Sequence, residues 1–171
     1  MTNDMTTMTI IAAVIYLLYN AISIGLFGIP ESLSNTYYLY KDKWNVGYLF
    51  PIMMYSVVAL MMPSWITLSE GSNFQFLAFL APASIAFVAT APAFKGSKLE
   101  SNVHTIAAIL AAVCSLAWVC LVTPYWWTII SWSGIVSLAV TLTKTIKTAY
   151  VYWLETIAFM ATFSSVIFMT L

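Results

Sequence analysis

Apolar residues run along this chain in six long, nearly unbroken stretches, without the alternation that marks a half-buried strand. The stretches are Thr9–Ile29, Val46–Trp65, Phe74–Phe94, Val103–Val122, Tyr125–Thr143 and Ala149–Thr170. A membrane helix needs about 20 mostly apolar residues to cross a hydrocarbon core of roughly 30 Å, so each stretch predicts one span. The period of two that a membrane β-barrel requires is missing. Polar residues fill the breaks. Glu31, Lys41, Asp42 and Lys43 sit in the first, Glu70 in the second, Lys95, Lys98 and Glu100 in the third, and Lys144 and Lys147 in the fifth. The fourth break is only Thr123–Pro124 before Tyr125-Trp126-Trp127, which predicts a tight hairpin with aromatics at headgroup depth.

Composition agrees with this pattern. The chain has 171 residues, 62% of them hydrophobic and 7% charged, whereas soluble domains run near 25% charged. With a mean hydropathy of +0.92, the apolar surface must face lipid. The expected fold is a single all-α domain over residues 1–171, a polytopic bundle of six helices. No connection is long enough to hold a soluble domain, and no internal repeat is visible, so no inverted-repeat transporter is expected. Residues 1–8 hold no Lys or Arg, so the first stretch lacks the basic leader of a cleaved signal and is expected to remain a span.

Charge adds direction. Six Lys balance six acids, and Arg is absent. A net charge of zero leaves no basic surface for nucleic acid. With six spans, all six Lys fall on one side of the membrane. The positive-inside rule makes that side cytosolic and places both termini on the other side. Trp44, Tyr48, Tyr150, Tyr152 and Trp153 then form an inner aromatic belt, and Trp65, Tyr125, Trp126 and Trp127 an outer one. A bacterial inner membrane is the expected location.

A few polar residues interrupt the spans. An intramembrane acid is costly, on the order of 2.5–3.5 kcal/mol at the centre, and invites a functional reading. Glu155 is the clearest example. Thr148, Glu155 and Thr162 share a helical face that should look into the bundle. His104 is the only His and opens the fourth span, with Ser101–Asn102 as a capping pair. Its ring is expected to be neutral and hydrogen-bonding. Ala108, Ala111 and Ser115 continue its face, with Ala107 and Ala112 close by. Tyr16, Asn20 and Ser23 form a stripe in the first span, where Asn20 reads mainly as an interhelical hydrogen-bond donor. Pro51, Pro63, Pro82 and Pro92 could open a cavity by kinking. Met53, Met54, Met61 and Met62 read as adaptable packing. Cys114 and Cys120, six apart on one span, form neither a disulfide nor a metal site.

Much chemistry is excluded. One His rules out a His-rich zinc centre or a bis-His haem within one chain. No Lys lies deep in a span, and no Walker, HExxH or GxSxG motif is present. No metal and no cofactor is expected.

The first connection carries Pro30-Glu31-Ser32-Leu33-Ser34-Asn35-Thr36-Tyr37-Tyr38. It resembles bacterial multi-span proteins of unknown function with a P-x-S-[IL]-S-x-x-Y-Y loop after the first span and a His at the start of the fourth. The resemblance implies a helical bundle and no defined activity. The chain departs from that pattern in its second connection, which holds Glu70 and no basic residue. Bottom-up, Ser32 and Ser34 can bond freed backbone at the helix end, while Tyr37 and Tyr38 can lie along the interface. Folded back into the bundle, the loop would bring Glu31 towards Glu155 and His104. The candidate ligand-binding residues are therefore Glu155, His104, Glu31, Asn20, Tyr37 and Tyr38.

Three functions follow. The leading one is a non-enzymatic membrane protein whose cytosol-facing polar pocket binds or moves a small molecule, ion or lipid. The second is an accessory subunit or homo-oligomeric scaffold. The third, a lipid-modifying enzyme, rests only on the Glu, His and Tyr inventory.

Overall fold

A computed structural model describes residues 2–171, and these are helical with no strand. Seven helices follow in order: α1 Thr2–Phe27, α2 Thr36–Trp44, α3 Leu49–Leu68, α4 Leu77–Thr90, α5 Lys98–Val122, α6 Trp127–Thr143 and α7 Ile146–Thr170. All but α2 coincide with the six apolar stretches. Four helices are long and apolar enough to cross a membrane: α1 (from Asn3), α3, α5 and α7. That is consistent with a membrane protein. The other two apolar helices are shorter than their stretches predicted, 14 residues in α4 and 17 in α6.

Local chemistry sets these limits. In α4 the limit is Pro92, which disfavours helix in the residue before it; Ala91 leaves the helix at φ −110°, ψ 55°. At the other end Phe74 to Phe76 lie in turns rather than helix. α1 stops at Gly28, whose φ of 77° suits a residue without a Cβ. Its N–H closes on the Ile24 carbonyl at 2.9 Å. The cap of α5 corrects the sequence reading. It is Ser97, whose Oγ accepts from Glu100 N–H at 3.2 Å, and Ser101 and Asn102 lie within the helix. Ser97 and Glu100 stand at capping-box spacing, so α5 starts a turn earlier than its apolar run. The expected hairpin between α5 and α6 is present, with extended Thr123 accepting from Tyr125 N–H at 3.1 Å.

The helices close into a ring. α1 packs on α3, α3 on α4, α4 on α5, α5 on α7, and α7 back on α1. α6 lies outside this ring against α7, and α2 lies against α3. Tyr16 of α1 seals the closing seam by stacking on Phe159 of α7 at 4.7 Å and meeting Phe163 edge-on at 5.7 Å. Small residues let neighbouring backbones approach; at Gly47 an added Cβ would meet the Tyr37 carbonyl oxygen at 2.8 Å.

The two ends of the ring differ. At one end Thr6 Oγ1 donates to the Thr170 carbonyl at 3.2 Å, Tyr125 Oη to the Phe168 carbonyl at 3.1 Å, and Trp118 Nε1 to Ser69 Oγ at 2.7 Å. The beginning of α1, the end of α7 and two short connections thus gather there. The opposite end gathers the first and third connections and the beginning of α7, through Lys95 N–H on Tyr38 Oη at 2.6 Å and Tyr152 N–H on the Glu31 carbonyl at 3.2 Å. Two aromatics leave their predicted belts. Trp65 and Tyr152 are each 3% exposed, turned into the ring, because burial there also offers ring or hydrogen-bond partners. Trp44, Tyr48, Tyr150, Trp126 and Trp127 remain exposed.

Candidate functional site

The segment between Gly28 and α2 forms a plug in the lysine-bearing end of the ring. Its turn is built locally. Asn35 N–H reaches both the carbonyl and Oγ of Ser32 at 3.1 Å, and Thr36 Oγ1 donates to the Leu33 carbonyl at 2.6 Å. Leu33, Ser34 and Thr36 are at most 2% exposed. Buried turn backbone needs partners, since each unpaired group costs about 1–3 kcal/mol. Those partners come from the surrounding helices.

α7 supplies two. Its backbone leaves helical geometry at Ala149, and the nearby Tyr152 N–H donates to the Glu31 carbonyl. One turn on, Glu155 Oε2 accepts from Leu33 N–H at 2.7 Å. This is the only hydrogen bond to the carboxyl group among the described residues. α5 supplies the third through His104, 5% exposed. His104 Nδ1 lies 2.9 Å from the Ala91 carbonyl, and Nε2 lies 2.8 Å from Ser34 Oγ. A carbonyl only accepts, so Nδ1 carries a proton; in the neutral ring expected from the sequence, Nε2 then accepts from the Ser34 hydroxyl. Phe94 stacks on the imidazole with centroids 4.4 Å apart. α1 adds Tyr19, whose hydroxyl bonds Thr36 Oγ1 at 2.6 Å.

Glu155 and His104 therefore converge on consecutive residues of the plug. The other candidates take separate places. The Glu31 side chain is exposed, and only its backbone joins the plug. Asn20 bonds within the bundle, accepting from Tyr152 Oη at 3.0 Å and donating to the Tyr16 carbonyl at 2.8 Å. Tyr38 straps the outside of the plug to the α4–α5 connection. It accepts from Lys95 N–H, and the Lys95 ammonium sits 4.9 Å from its ring while bonding Asn35 Oδ1 at 2.9 Å. Tyr37 is half-buried against Tyr38, with centroids 5.1 Å apart. No family model, curated protein or solved structure matches this chain. Its chemistry must be read from its own geometry.

Under the plug lies a cavity at the centre of the ring. Leu33, Ser34 and Glu155 line its upper part, and Trp65 of α3 its lower part. Between them Met54, Val57, Met61, Ile85, Val88, Phe159 and Phe163 give an apolar wall, with Ala108, Ala111 and Ala112 opening space on α5. Ser115 and Thr162 add hydroxyls. The alanine face below His104 thus helps form a void as well as packing on α4. The cavity volume is about 40 Å³. Trp65 meets Trp118 at 6.1 Å between centroids and closes the lower end. The Trp65 indole N–H, buried, has no hydrogen-bond partner.

Sequence reasoning found Glu155, His104 and the small-residue face, but missed Trp65 and the methionine wall. Met54 and Met61 read as packing because nothing in the sequence distinguishes a residue bordering a void from one filling it.

The latch from α5 gives a first expected result. His104→Ala removes two hydrogen bonds and a ring contact, leaving the Ala91 carbonyl and the Ser34 hydroxyl without their partner. Stability in detergent should fall by about 1–2 kcal/mol, whereas His104→Asn should recover part of the loss. Equal melting temperatures for His104→Ala and the parent chain would show that the latch contributes nothing.

Proposed function

We propose that this chain is a six-span membrane protein that holds a small apolar or amphiphilic molecule in its central cavity and exchanges it when the plug yields. The supporting observation is the cavity itself: an apolar space lined by ring helices and plug, with the Glu155 carboxyl group at one end and Trp65 at the other. A mostly apolar cleft with a few polar groups is the form that small-molecule sites take. The polar pocket expected from the sequence becomes, in this reading, a mostly apolar chamber with polar ends.

Filling the space tests this. Ala112 lines the cavity and is half-buried, so Ala112→Leu places three further carbons in it. Extracted in polymer nanodiscs and examined by native mass spectrometry, the parent protein should carry a bound small molecule that Ala112→Leu lacks. Identical adducts on both proteins would overturn the reading.

The same proposal places the lysine-bearing end in the cytosol and both termini outside. In a background with Cys114 and Cys120 replaced by Ser, single cysteines at Lys43, Lys98 and Lys147 should react with an impermeant maleimide only after the membrane is opened. A cysteine at Glu70 should react in intact cells. Labelling of Lys43 and Glu70 positions from the same side would refute the six-span topology.

A further inference from the structure

The shape and polarity of the cavity narrow the class of molecule it takes. Its lining runs from Met54 to Trp65 along α3 and from Glu155 to Phe163 along α7. At 1.5 Å per residue these are lengths of roughly 16 Å and 12 Å. Spread over such a length, a cavity volume of about 40 Å³ makes a narrow bore, suited to one extended hydrocarbon chain rather than to a fused ring system. A file of waters is disfavoured, because a wall of Met, Val, Ile, Ala and Phe offers few hydrogen bonds and apolar cavities stay dry.

The ends then set the head. Glu155 accepts from Leu33 N–H through one oxygen, and in its ionised form the remaining lone pairs only accept. A carboxyl group beside an apolar wall is best satisfied by a donor, and most strongly by a cationic one. A carboxylate head would bring like charge or two acceptors together. Trp65, 3% exposed and among the residues that line the cavity, stands at the tail end, where an aromatic ring suits the end of an alkyl chain.

We infer that the central cavity binds a single-chain amphiphile, with a hydrogen-bond-donating amine or hydroxyl head against Glu155 and its alkyl chain running down towards Trp65. This rests on the cavity being a binding site, and the test separates the two claims. Purified protein in detergent-free polymer nanodiscs is titrated with dodecylamine, dodecanol and dodecanoic acid, each carrying bromine on the terminal carbon to quench tryptophan.

The expected result is saturable quenching by the amine and the alcohol, lost in Trp65→Phe and in Ala112→Leu. The acid should bind at least tenfold more weakly, and Glu155→Gln should reduce the amine's advantage over the acid several-fold. Equal affinity for all three heads, with quenching still lost in Trp65→Phe and Ala112→Leu, overturns the head assignment while leaving a binding cavity. Quenching unchanged in both variants, or none that saturates, overturns the cavity as a binding site and the inference with it. Tryptophan circular dichroism and melting temperature of each variant confirm that lost quenching is not lost folding.

Discussion

Trp118→Ala is expected to be the most damaging single truncation in this chain, costing about 3–5 kcal/mol. The indole is completely buried in α5 and is the largest side chain so enclosed. It faces Trp65 across the lower end of the cavity, and its N–H donates to Ser69 Oγ at 2.7 Å. Truncation merges a new void with the existing one, so the surroundings cannot collapse onto it without moving α3. Trp118→Phe loses the donor and three ring atoms but keeps a six-membered ring in place, a smaller change of about 1–2 kcal/mol. The difference between the two variants reports the volume that the remaining ring fills. At roughly 2–4 °C per kcal/mol for a chain of this size, thermal unfolding in one detergent resolves them. A Trp118→Ala protein that melts within a degree or two of Trp118→Phe would mean that the ring's volume is not what holds this end together.

The helices were legible in the sequence because lipid demands long apolar runs: four helices are long and apolar enough to cross a membrane, and two shorter apolar helices fall on the remaining runs. Their ends were less legible, since ends are set by single residues that a hydropathy count averages away. Pro92 shortens α4 through Ala91, and Ser97 extends α5 through Glu100. α2 was hidden for a related reason. Thr36–Trp44 is nine residues long and follows its tyrosines with the charged run Lys41-Asp42-Lys43, so it lacks the apolar run of a span, and its helix is fixed by the turn before it and by burial of Thr36 and Tyr40.

The site was half legible. Glu155 stands out because an acid within a span is rare, and His104 because it is alone. That they meet at Leu33 and Ser34 depends on the backbone of a loop, and hydrogen bonding to backbone leaves no residue-type signature. Glu31 shows the converse. Its charge drew notice, yet its carbonyl makes the contact and its carboxylate stays outside. Trp65 looked like a belt residue at a span end. Only the ring closure, which brings α5 and its Trp118 alongside, turns it inward.

Glu155→Leu should release the plug. Leucine matches the space along α7 but cannot accept from the N–H of Leu33, a residue that is 1% exposed. A buried N–H left without its partner costs about 1–3 kcal/mol. Against that, leucine removes the burden of holding a carboxyl group beside an apolar wall, which acts in the stabilising direction. Global stability and local hold on the plug should therefore part company. The melting temperature falls modestly, while the plug opens far more often.

A cysteine at Ser34, itself 2% exposed, reports the opening through its rate of maleimide reaction. In the cysteine-free background, Glu155→Leu should raise that rate at least tenfold over Ser34→Cys alone, and Glu155→Gln, which keeps an acceptor oxygen, should raise it far less. Since Ser34→Cys weakens the bond to His104 in every protein compared, the ratio isolates the Glu155 contact. Equal rates for the Leu and Gln variants would show that the carboxyl's bond to Leu33 does not hold the plug, whose remaining anchors are His104 and the Tyr38–Lys95 strap.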